Sequence, residues 1–154
     1  LGIEFRQDRS NKQELLDAGL AISEAINAAD EPVHPERDDI RGCHHVYLEA
    51  PGSNATLSRY FMAIQPGWVD CLPCGTGTSA RLAQLRHRGL LGEGEELRNE
   101  SLLGGHFTAR VHGTTEVEGI PAIVPVVTGR AWISGTSQWF LDESDPFPAG
   151  FLLS

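Results

Sequence analysis

The sequence predicts an α/β unit of the α+β kind, a mixed sheet wrapped around a central helix. Three observations point to it: an amphipathic stretch near the start, a glycine-rich turn that runs straight into a helical segment at residues 74–88, and short apolar runs separated by glycine turns beyond Gly92. At 154 residues one core suffices, so residues 1–154 are expected to form a single domain.

Asn11-Lys12-Gln13-Glu14 has the spacing of a capping box, and Leu15, Ala18, Ile22 and Ile26 follow at helical intervals, so the first helix is expected over 11–28. Pro32 and Pro35 enforce a non-helical connection. His45 to Glu49 and Leu57 to Gln65 then read as strands on either side of the turn signal Pro51-Gly52-Ser53-Asn54, and Pro66-Gly67 closes the second. The segment from Cys74 to Leu85 passes from small residues into a helix that ends at Gly89, with Leu82 and Leu85 on its buried side. Further strands are expected at Phe107–Val111, Ala122–Val127, Ala131–Ile133 and Trp139–Leu141.

Composition narrows the function. Hydrophobic residues make up 40% of the chain and are spread along it, which excludes disorder, and no run is long enough to span a bilayer as a helix. The net charge of −9, with Lys12 the sole lysine, disfavours a nucleic-acid partner. Three cysteines, an odd number, in a sequence with no secretory signal point to reduced thiols and a cytoplasmic setting. The chain begins at Leu1, in what reads as mid-protein sequence, so a fragment or processed piece is expected.

The start of the second helix carries the chemistry. A helix N-terminus presents unpaired amide hydrogens and a partial positive charge, which suit a carboxylate and favour the thiolate of a cysteine placed there. The amides of Gly75 and Thr76 supply the carboxylate site, Cys74 the thiol, and Asp70, four residues earlier, a partner for an amine. Together they read a zwitterion. Elsewhere a lone cysteine is usually a buried, inert small hydrophobe, and Asp before a helix is usually a turn or cap carboxylate.

Two rival chemistries share these residues. Cys71-Leu72-Pro73-Cys74 has the spacing of a disulfide oxidoreductase, although such proteins expose their first cysteine and do not follow the pair with Gly-Thr-Gly-Thr. Cys43, His44, His45, Cys71 and Cys74 have the residue types of a zinc site, but only one C-x-x-C pair exists and the adjacent histidines diverge along a strand. No metal is expected. A pyridoxal cofactor is not expected either, since it needs a lysine and Lys12 falls at an exposed helix start.

Asp70-x-x-Pro73-Cys74-Gly75-Thr76-Gly77-Thr78-Ser79-Ala80-Arg81 resembles the second catalytic motif of the proline racemase family, which includes hydroxyproline epimerases and a dehydratase branch. The likeness continues through Phe107-Thr108-Ala109-Arg110-Val111, Gly129-Arg130-Ala131-Trp132-Ile133-Ser134-Gly135 and Asp145-Pro146-Phe147, and covers nearly the whole chain. It implies the C-terminal half of a cofactor-independent, diaminopimelate epimerase-like fold, in which two halves each wrap a sheet around a helix and each contribute one cysteine. One thiol abstracts the α-proton and the other protonates the opposite face, because a single base returns a proton only to the face it left. By that resemblance Cys74 is the acid/base thiol of this half, Asp70 contacts the substrate amine and the Gly75 and Thr76 amides hold its carboxylate. The dehydratase branch has threonine where Cys74 stands.

His45 is a finer clue, since hydroxyproline epimerases resemble this chain in having a histidine on that strand, which implies 4-hydroxyproline as substrate and proline as the alternative. The implied partners are the small-molecule substrate, an N-terminal half with the other thiol and, alternatively, a second copy of the chain. Two departures stand out: Cys71-Leu72 replace the family's Arg-Ser, and the Cys-Gly-His turn of the first half is absent, so half an active site is expected and the isolated chain should be inactive. The contrasting reading is a catalytically inactive half that binds a zwitterion or a partner chain.

Overall fold

The computed structural model describes residues 2–6, 10–51, 57–70 and 72–150. Two helices, α1 (Lys12–Ala29) and α2 (Gly75–His87), accompany strands β1 (Val33–His34), β2 (Arg37–Arg41), β3 (His45–Pro51), β4 (Leu57–Ile64), β5 (Trp68–Asp70), β6 (Leu97–Ser101), β7 (His106–Val117) and β8 (Ile120–Thr128). The main sheet runs β3-β4-β6-β7-β8, with β5 also on β4, while β1 and β2 form a separate pair. All its pairings are antiparallel except β4 with β6, between which the chain passes through β5 and α2. This is the mixed α+β architecture expected of the sequence.

The two helices cover opposite faces. Along β3 the side chains alternate, so Val46 and Leu48 point one way and His45, Tyr47 and Glu49 the other. On the first face Leu15 and Leu16 of α1 form a core with Val46, Leu48, Phe61 and Ala63. On the second, Leu82 and Leu85 of α2 meet Leu91, Leu97 and Ala109.

The buried stripe of α1 differs from the expected one. It comprises Leu15, Leu16, Gly19 and Ser23, and Ile26 is exposed. Small residues let the helix approach the sheet: a methyl at Gly19 would stand 2.3 Å from the Ala63 Cβ, and the Ser23 hydroxyl donates to the Cys43 carbonyl at 2.5 Å. Nor does the capping box form, because the Asn11 side chain makes no cap bond and its Nδ2 donates to the Glu4 carbonyl instead.

Strands β5 and β6 share one edge of β4. Met62 to Ile64 pair with β5, Leu57 to Tyr60 pair with β6, and β3 occupies the other edge. The chain therefore leaves the sheet after Asp70, turns, and enters α2 at the point where the edge divides. The strands expected at Ala131–Ile133 and Trp139–Leu141 are absent: residues 129–150 contain neither helix nor strand. A strand needs an edge to pair with, and this segment pairs with none among the described residues. Trp132, Ile133, Trp139, Phe140 and Leu141 are each more than 70% exposed there. No helix among the described residues is long and apolar enough to cross a membrane.

Candidate active site

Cys74 is the N-cap of α2, with extended backbone (φ −85°, ψ 128°). Its Sγ accepts from the Gly77 N–H at 3.4 Å and lies 3.1 Å from the Thr76 hydroxyl, and its carbonyl receives the Thr78 N–H at 2.9 Å and the Thr78 hydroxyl at 2.6 Å. With the Gly77 and Thr78 amides taken, helix geometry leaves those of Gly75 and Thr76, both exposed, as the open donors of the first turn. The thiol and two free amides thus share one half-exposed helix mouth.

Asp70 ends β5 opposite Met62, in the same cross-strand row as Tyr47. Its Oδ1 accepts the Leu72 N–H at 3.0 Å, an Asx-type turn that redirects the chain toward Pro73. The bland role of a turn-forming carboxylate is therefore met by one oxygen. His45 lies one pleat along from Tyr47, in the row of Ile64 and Trp68, and is exposed. It shares the α2-side face of the sheet with the site but carries no hydrogen bond that ties it to Cys74. Cys71, the other cysteine of the C-x-x-C pair, lies outside the described residues.

Cys43 belongs to the opposite layer. It packs against the α1 core, and its backbone bonds Ser23 and Asn27. The sheet separates it from Cys74, and no three His, Cys, Asp or Glu among the described residues are grouped to hold a metal ion. His44 precedes β3, is exposed, and places Nε2 3.0 Å from the Arg41 carbonyl.

Sequence reasoning missed the support beneath the thiol. Tyr47 and Tyr60 stack with ring centroids 4.2 Å apart. The Tyr60 hydroxyl receives the Cys74 N–H and donates to the Leu72 carbonyl, both at 2.6 Å. Buried Asn99 donates to the Thr78 hydroxyl at 2.8 Å and to the Tyr47 hydroxyl. Farther along α2, Arg81 pairs with Glu49 at 2.5 Å, and Glu49 also accepts from Ser58. The available signal was the alternation of β3 and β4, which puts Tyr47 and Tyr60 on the α2 face where a polar tip needs a partner.

Burial pushes both tyrosine hydroxyls well above their ordinary value near 10. The folded chain therefore holds their protons at pH values where the unfolded chain has released them, so this contribution is complete below pH ~10 and is lost as pH rises beyond it. Denaturant titrations above pH ~10 should show stability falling as pH rises, by at most ~1.4 kcal/mol per pH unit for each tyrosine, with a shallower fall in Tyr60→Phe. An unchanged slope in that variant would contradict the burial argument.

The site lies on an open surface. A cavity of about 250 Å³, lined by Phe5, Arg59, Tyr60 and the turn from Ser101 to Gly104, ends at the Tyr60 ring and does not include Cys74. Leu72 and Trp68, flanking Asp70, are 65% and 69% exposed.

Comparison with known proteins shows the family and the fold. A profile of the family described as proline racemase matches residues 2–152. The chain is 59% identical over 153 residues to a 4-hydroxyproline 2-epimerase of Streptosporangium roseum, covering 99% of this chain and 45% of that protein. It is 39% identical over 145 residues to 4-hydroxyproline 2-epimerase 2 of Rhizobium rhizogenes, covering 94% and 44%. Among solved structures, a probable proline racemase from Agrobacterium radiobacter with bound carbonate superposes with a TM-score of 0.79 at 36% identity, covering 99% of this chain and 44% of that one. A hydroxyproline epimerase from Agrobacterium vitis with bound trans-4-hydroxy-L-proline does so with a TM-score of 0.79 at 35% identity, covering 99% and 43%. The chain thus spans less than half the length of these relatives. Matched from Gly2 almost to its last residue, and with a thiol-capped helix built on the sequence that carried the resemblance, the chain belongs to the proline racemase family.

Proposed function

We propose that this chain is one half of a cofactor-independent 4-hydroxyproline 2-epimerase, and that Cys74 is one of its two acid/base thiols. The observation that carries this reading is Cys74 capping α2 beside two open amides, with Asp70 at the end of the neighbouring strand. The Gly75 and Thr76 amides hold the substrate carboxylate and the Asp70 carboxylate holds the amine, which puts the α-carbon beside Sγ. As base, the Cys74 thiolate takes the α-proton; the C–H electron pair moves onto the carboxylate, where the first-turn amides meet the developing charge. In the reverse sense the Cys74 thiol gives its proton to that carbon. His45, one pleat away on the same face, contacts the ring hydroxyl of the substrate.

The second thiol comes from an N-terminal half. Exposed Trp132, Ile133, Trp139, Phe140 and Leu141 and the open face around Leu72 and Trp68 are apolar surface that such a half would cover. A cytoplasmic setting keeps both thiols reduced.

Joined to a complementary half with the other cysteine, the chain should exchange the α-hydrogen of hydroxyproline for solvent deuterium and invert its configuration without added cofactor. The chain alone should show no inversion by polarimetry, because one helix terminus on an open surface leaves the carbanion in water, where electrostatic stabilisation is weak. Exchange that depends on an added cofactor would overturn the proposal. Inversion by the chain alone would mean that two copies bring two Cys74 thiols to one substrate.

A further inference from the structure

The Tyr60 hydroxyl bridges two main-chain groups on either side of buried Pro73, the Leu72 carbonyl and the Cys74 amide, each at 2.6 Å. Tyr60 is itself 1% exposed, and stacked Tyr47 limits its ring's freedom to turn. Tyr47 in turn accepts from Asn99, which also bonds the Thr78 hydroxyl, and that hydroxyl donates to the Cys74 carbonyl. The amide and the carbonyl of Cys74 are thus fixed from one buried network, while Sγ alone faces the helix mouth. An N-cap side chain reaches the first-turn amides only when its backbone stays extended, so whatever holds that backbone aims the thiol.

We propose that Tyr60 is a positioning residue for Cys74: its hydroxyl sets the Leu72–Pro73–Cys74 backbone and so the direction of Sγ, without touching substrate. The proposal rests on the reading of Cys74 as an acid/base thiol. Replacing the hydroxyl leaves a carbonyl and an amide without their partner in a partly buried turn, while the stacked ring remains to hold the core.

Amide exchange in Tyr60→Phe tests this directly. The Cys74 amide should exchange about 10- to 100-fold faster relative to the Leu85 amide than it does in the parent chain. In the protein carrying both halves, kcat should fall at least about tenfold with KM within about twofold, since positioning acts on the reacting atom and not on carboxylate binding. A purely structural role would accelerate both amides alike, and that result, or an unchanged kcat, overturns the proposal. Should the variant fail to fold, the parent chain still decides: its Cys74 amide must be protected nearly as well as Leu85, and free exchange there rules the clamp out. If the protein carrying both halves shows no turnover, the epimerase reading fails while the exchange comparison still reports on the clamp.

Discussion

Cys74→Ala is expected to reduce α-hydrogen exchange by the two-half protein about 10³-fold or more, the scale on which a positioned acid/base group contributes. The side chain also caps α2, so part of any loss of activity would be conformational. The two effects separate through Cys74→Ser. A serine hydroxyl accepts the Gly77 amide as the thiol does and keeps the cap, but at neutral pH it is neither a base nor an acid of suitable strength. Cys74→Ala should lose ~1 kcal/mol of stability and Cys74→Ser almost none, with exchange falling to the background in both. Retained exchange in either variant would remove Cys74 from the mechanism. Cys71→Ala provides the contrast with thiol redox: rapid alkylation near neutral pH should persist in that variant and disappear with Cys74, whereas a redox pair would show the reverse.

What the sequence made legible follows from where local signals act alone. The Cys74-Gly75-Thr76-Gly77 turn needs only small residues and a following helix pattern, and α2 begins where that pattern placed it. The long strands β3, β4, β7 and β8 were visible because runs of five or more residues, apolar or alternating apolar with polar, stood between turn signals. Strand β6, which reads Leu-Arg-Asn-Glu-Ser, was not, because its alternation is mostly polar; Asn99 is buried there only because it meets Thr78 and Tyr47 from other elements. Short β5 was hidden for another reason, since three residues are held by the edge of β4 and not by their own pattern. The α1 stripe slipped because burial followed the small residues Gly19 and Ser23, and an apolar period gives those no weight. Trp132, Ile133 and Trp139 have the composition of strands, but among the described residues they pair with no edge of the sheet and stay exposed. In the site, Cys74, Gly75 and Thr76 lie together and Asp70 closes the same turn, while Tyr60 and Asn99 became visible only once β4, β6 and α2 were assembled.

Gly77→Ala is expected to damage fold and site together, although alanine is the better helix former by about 1 kcal/mol. A Cβ at Gly77 would stand 2.5 and 2.8 Å from two ring carbons of Tyr47 and 3.1 Å from the Met62 methyl. That ring cannot retreat easily, because Tyr60 stacks on it and Asn99 holds its hydroxyl. The first turn of α2 must therefore lift from the sheet, and overpacking of this kind costs roughly 1–3 kcal/mol. Gly77 is also the residue whose amide meets Sγ, so a lift of the turn displaces the thiol, and a misplacement of about 1 Å is enough for a loss of about 10²-fold in turnover. Gly75→Ala separates steric pressure from helix propensity, since a Cβ there meets nothing within 4 Å. Its melting temperature should equal or exceed the parent's, whereas Gly77→Ala should melt several degrees lower in the same thermal scan. Equal melting temperatures for the two variants would mean that α2 does not sit against Tyr47 as described, and the support assigned to the thiol would lose its foundation.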